Sequence, residues 1–144
     1  MKRTSRHSLF LLECILALLV FSLAAAACAQ LFAKTYELEQ EAESLNQSVL
    51  LAQSAAEAFR SCGGDAEQTA LLLEAEPSED GFSAWYGEDG SPASQQEAVY
   101  ALRFSRSQAG GVAYGEITVS RDGSAVYALR AASALPAAGK VGTA

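Results

Sequence analysis

Glu13 is the single charged residue in the apolar run from Leu9 to Ala33, LFLLECILALLVFSLAAAACAQLFA. An ionisable group inside a segment of bilayer length is costly and is usually kept for pairing with a specific partner. The chemistry on offer is therefore electrostatic: a carboxylate in apolar surroundings that needs a cation at the same depth. Other reactive groups are scarce. His7 is the only histidine and lies in the basic stretch MKRTSRHS before the run. No Ser-His or Cys-His catalytic arrangement survives loss of that stretch, so an enzyme is not expected. Cys14 and Cys28 lie in the apolar run, where a thiol acts as a small hydrophobe. Cys62 stands alone in the remainder, which leaves no intrachain disulfide framework there. The acidic pairs Glu74/Glu76, Glu79/Asp80 and Glu88/Asp89 lack the glycine-turned oxygen-ligand loop of a calcium site. No Cys/His spacing suits zinc. The acids are read as a solvated face, and no metal and no cofactor are expected. Phe82, Trp85 and Tyr86 form an aromatic cluster that reads as core or edge packing before ligand platform.

Composition limits what else the chain can do. Its 144 residues suffice for one small domain plus an anchor. Half of them are apolar, many of these within the first 33 positions, so the remainder has a modest core to build. The net charge is -7, from 17 acidic and 10 basic residues. Lys2, Arg3 and Arg6 sit in the leader, and without them the balance is 7 minus 17, or -10. No cluster of Lys and Arg exists elsewhere, which argues against direct nucleic-acid binding.

The elements that must position Glu13 follow from the pattern. Residues 9–33 span about 37 Å as a helix, enough to cross a bilayer. Basic residues precede this stretch, while Glu37, Glu39, Glu41 and Glu43 follow the lone Lys34. That asymmetry places the N-terminus in the cytoplasm and the rest outside, a single-pass arrangement in the cytoplasmic membrane. From Lys34 to Ser61 there is neither Gly nor Pro, so the helix is expected to continue to about Cys62, with Gly63-Gly64 as its stop. Leu38, Ala42, Leu45, Val49, Ala52, Ala56 and Phe59 recur at helical spacing as one stripe. A coiled-coil seam is one reading of that stripe; packing onto the chain's own strands is the favoured one. Asp65–Ala75 is expected to form a short helix capped by Asp65, and residues 77–81 a loop. Strands are expected at 82–86, 98–105, 112–120 and 125–130, with Arg121-Asp122-Gly123 as a hairpin turn. The whole reads as α+β, a long N-terminal helix, transmembrane in its first half and amphipathic in its second, packed on a small antiparallel sheet. The expected divisions are 1–8 leader, 9–33 membrane segment, 34–62 amphipathic continuation, 63–130 globular head and 131–144 loosely ordered tail.

The N-terminus resembles that of type IV pilins and of the pseudopilins of type II secretion and competence systems. Such proteins carry a short basic leader, a small residue before the cleaved bond, and an apolar helix with glutamate as its fifth residue. Here the match runs Ser8, then Leu9-Phe10-Leu11-Leu12-Glu13. The resemblance implies cleavage between Ser8 and Leu9 by a prepilin peptidase and N-methylation of Leu9. It further implies pairing of Glu13 with such an amine during assembly. The partners it implies are other pilin-like subunits, the prepilin peptidase and a membrane assembly platform, with an extracytoplasmic filament as the product. Three departures accompany the match: Ser8 stands where glycine is usual, Leu9 where phenylalanine or methionine is commoner, and no proline occurs near Gln30. The rival reading is a secreted protein cut after Ala27-Cys28-Ala29, before Gln30, or a lipoprotein with Ala25-Ala26-Ala27 before Cys28. Against it, Glu13 would lie inside the apolar core of that signal.

Overall fold

The computed structural model describes residues 2–136. In chain order the elements are helix α1 (Lys2–Ser61), helix α2 (Ala66–Leu72), and strands β1 (Glu76–Ser78), β2 (Gly81–Tyr86), β3 (Tyr100–Ala109), β4 (Val112–Arg121) and β5 (Ser124–Ala134). The architecture is the α+β arrangement expected from the sequence. The chain divides into two compact units, Met1–Ala42 and Glu43–Ala144.

The first unit is helical through its described length. With no Gly or Pro to interrupt the backbone ladder, the helix begins at Lys2 and takes in the basic stretch expected to be a separate leader. Side chains from Ser5 to Ala42 are exposed, including the whole apolar run. By length and composition this helix can cross a membrane.

The second unit is a sheet covered by the end of α1 and by α2. Helix α1 stops as its glycines dictate. Gly63 takes φ 67° and donates to the Arg60 carbonyl, while Gly64 donates to the Phe59 carbonyl. These are the two bonds of a Schellman stop, which satisfies carbonyls the helix end would leave unpaired. Asp65 then caps α2, its carboxylate accepting from the backbone N–H of Glu67 at 2.9 Å and of Gln68 at 3.4 Å. Helix α2 ends in the same motif without a glycine: Glu74, at φ 53°, donates to the Leu71 carbonyl and Ala75 to the Ala70 carbonyl.

The five strands form an antiparallel meander in the order β1-β2-β3-β4-β5. The turn at Asp122-Gly123 closes the β4–β5 hairpin as expected, with both residues at positive φ and Arg121 paired with Ser124. A second tight hairpin, at Gly110-Gly111, joins β3 to β4 in the same way. Strand β3 begins two residues into the stretch 98–105 expected from alternation and runs past its end, because pairing along β4 carries it on to Ala109. Strand β1 overlaps the start of the stretch expected as a loop, residues 77–81: Glu76, Pro77 and Ser78 pair with Ser83, Phe82 and Gly81. Pro77 is tolerated there because β1 is an edge strand. Strand β5 runs past Arg130 to Ala134, so residues 131–134 of the expected loose tail are paired with β4. Leu135 donates its backbone N–H to the Gly111 carbonyl at 3.0 Å, and residues 137–144 of that tail lie outside the described residues. A bulge at Val119/Ser120 leaves Val126 of β5 unpaired.

The core lies between the sheet and α1. Phe82, Ala84 and Tyr86 of β2, Tyr100, Leu102 and Phe104 of β3, and Ala113, Ile117 and Val119 of β4 face the helix residues Leu51, Ala52, Ala55, Ala56 and Phe59. Phe104 is its centre: it stacks on Phe82 at 4.5 Å between centroids and meets Phe59 at 5.0 Å in a tilted pair. The helix stripe is met in part. Ala52, Ala56 and Phe59 are buried, whereas Leu38 and Leu45 stay 57% and 46% exposed. The buried face runs instead through Ser44, Ser48, Leu51 and Ala55.

Candidate functional site

The residues assigned to processing and assembly, Ser8, Leu9 and Glu13, all lie on α1 within the first unit. Ser8 and Leu9 are consecutive, helical and exposed, and so is Glu13. A peptide bond inside a helix is shielded by its own ladder, so hydrolysis between Ser8 and Leu9 requires the first turns to open. Helix ends fray at little cost, which makes a site close to the start accessible.

Leu9 and Glu13 stand four residues apart, one above the other on a single helix face. Helical side chains lean towards the N-terminus, so a residue at position 13 covers the turn that begins near Leu9. If the chain were cut before Leu9, that nitrogen would become an α-amine with a pKa of about 8, positively charged at neutral pH. Cation and anion would then lie about one turn apart along the helix. The spacing fits pairing within one chain and pairing between neighbouring helices alike.

The polar groups of this helix differ in how they are satisfied. Ser22 donates its hydroxyl to the Leu18 carbonyl at 2.8 Å, and Thr35 donates to the Leu31 carbonyl at 2.9 Å. Such bonds to the preceding turn let a hydroxyl sit in lipid without a partner. Glu13 is acceptor-only when ionised and has no such recourse. Among the described residues it makes no ion pair.

The remaining candidates fall elsewhere. Cys14 and Cys28 are exposed along the apolar helix, Cys62 is half-buried, and all three thiols are free. Glu74 occupies the stop of α2, Glu76 begins β1, and Glu79 and Asp80 form the turn into β2. The Asp89 carboxylate accepts from the Ser91 hydroxyl at 2.6 Å and from its backbone N–H at 3.1 Å. Those bonds hold its pKa below the usual carboxylate value. The aromatic cluster splits: Phe82 and Tyr86 enter the core, while Trp85 alternates to the opposite face of β2.

Fold and segment together define a class: a small α+β head at the C-terminal end of an apolar helix able to span a bilayer, with one carboxylate near that helix's start. Comparison of the chain with known protein families, with curated proteins and with solved structures finds no match.

Proposed function

We propose that this chain is a pilin-like structural subunit, a minor pilin or pseudopilin, of a type IV pilus, a type II secretion system or a competence filament. A prepilin peptidase removes residues 1–8, the new amine of Leu9 is methylated, and the helix anchors the subunit in the cytoplasmic membrane until assembly. The protein performs no reaction. Its partners are other pilin-like subunits and the membrane platform that stacks them.

The observation that carries this reading is Glu13: the one charge in the apolar run, unpaired among the described residues, one turn after the bond that would release an amine. The cost of keeping it there falls only when a cation arrives at its depth. Pairing between chains fixes their axial register. Because the contact joins two different surfaces, it repeats without closing and yields a helical polymer. The wholly exposed apolar cylinder supports the same reading, since it leaves every side open to lipid or to further helices.

Mass determination of the mature N-terminus in the native host is the decisive test. Methyl-leucine at residue 9 is the expected result. A chain beginning at Gln30 would identify a secretory signal instead, and a lipidated Cys28 a lipoprotein. Glu13→Ala is expected to leave membrane insertion and leader removal intact and to abolish incorporation into filaments, read by shearing and immunoblotting. Wild-type filament levels in that variant would refute the assembly role.

A further inference from the structure

The face of the sheet turned away from α1 carries an ordered array of side chains. The antiparallel register sets Ser83, Arg103 and Thr118 side by side in one row across β2, β3 and β4. The next row is Trp85, Ala101 and Ser120. Ala101 is small, so the sheet surface dips between the indole of Trp85 and the Ser120 hydroxyl. These residues line an open trough, with Gln95 of the β2–β3 connection at its rim.

Arg103 is the one arginine of the described residues that lines this trough, and among the sheet's arginines it stands apart. Arg106 bonds the Gly64 carbonyl at 2.9 Å, Arg121 lies over the Tyr100 ring, and Arg130 lies over the Tyr114 ring. Arg103 is exposed and has neither a hydrogen-bonding nor an aromatic partner among the described residues. Its direct cross-strand neighbours are the hydroxyl residues Ser83 and Thr118, with Glu116 diagonal to it on the same face, and no carboxylate lines the trough itself in a chain of net charge -7. Trp85 is the only tryptophan in the chain, and it is placed on this face, half-buried, instead of in the core.

We propose that this trough binds an acidic saccharide, a uronic-acid polymer, with one sugar ring on the Trp85 indole and its carboxylate on Arg103. The C–H face of a pyranose packs against an aromatic ring, and a guanidinium takes a carboxylate in two parallel hydrogen bonds. The hydroxyls of Ser83 and Thr118 and the Gln95 amide supply donors and acceptors for ring hydroxyls. Ser120 donates to the Ala101 carbonyl at 3.3 Å, which leaves its oxygen free to accept. This surplus of hydroxyl and amide groups favours a sugar over a flat aromatic acid. An open trough, unlike a closed pocket, suits an internal stretch of polymer. The inference does not depend on filament assembly.

Because Trp85 is the only tryptophan, its fluorescence reads the site directly in the full-length protein in detergent. Titration with a galacturonate oligosaccharide is expected to give a saturable change in emission, weakened by added salt. The neutral galactose oligosaccharide and the Arg103→Gln variant should each bind about tenfold more weakly, since a charge-assisted pair is lost. Arg103→Lys should recover part of the loss, because it keeps the charge without the fork. Trp85→Ala, followed by calorimetry, should abolish binding, with circular dichroism confirming that the variant is folded. An unchanged emission with galacturonate, equal binding of the neutral oligomer, or wild-type affinity in Arg103→Gln would each overturn the proposal. Equal binding of a simple aromatic carboxylate such as benzoate would overturn the assignment to a saccharide.

Discussion

Gly115 lies in the middle of β4 because the Phe104 ring occupies the space a side chain would need. A Cβ built there would sit 2.6 Å from Phe104 Cζ and closer still to Cε2. Phe104 in turn holds Phe59 of the helix and Phe82 of the next strand, so a displacement at one point is felt on both layers. Gly115→Ala is expected to destabilise the head by about 1–3 kcal/mol, the usual cost of overpacking a filled core. Phe104→Leu in the same background should recover part of that loss, since the two residues share one space. Urea denaturation followed by Trp85 fluorescence measures both. None of this was visible in the sequence, where Gly115 interrupts an otherwise alternating strand without naming the ring it accommodates. Glu13 was legible at once, because charge in an apolar run is a signal at the level of residue type.

At the scale of elements, periodicity identified α1, α2 and four of the five strands, and the glycines at 63 and 64 marked the end of α1. The buried helix face was less legible. Counting apolar residues picked out Leu38, Leu45 and Val49, but the face against the sheet includes Ser44 and Ser48, with Ser48 fully buried. Small residues there let the helix approach the sheet closely. The Ser48 hydroxyl is satisfied by the Ser44 carbonyl at 2.8 Å, so its burial leaves no donor unpaired. Strand β1 escaped notice because three residues containing a proline carry no alternation; its pairing comes wholly from β2. The end of α2 carries a local conflict, since Glu74 holds a left-handed φ of 53° that a side chain disfavours. Glu74→Gly is expected to stabilise the head by about 0.5–1 kcal/mol, visible as a raised melting temperature. An unchanged or lowered value would show that the side chain contributes more than the backbone strain costs.

For the molecule as a whole, a buried tyrosine links the stability of the head to pH. Tyr86 is buried beside the sheet, and burial raises its pKa above the ordinary value. The folded state therefore binds that proton more tightly than the unfolded state does. Its contribution is fully present below the ordinary tyrosine pKa of about 10 and is lost as pH rises through the higher folded value. The melting temperature of the head should accordingly fall in strongly alkaline buffer, and Tyr86→Phe should flatten that fall; an equal slope in both proteins would assign the effect to other groups. The far edge of the sheet has a different consequence. Strand β5 is long and has a free side, the kind of border along which β-proteins zip into aggregates. The bulge at Val126 interrupts that border only next to the hairpin turn, so the regular stretch of residues 127–134 is the part such pairing would use.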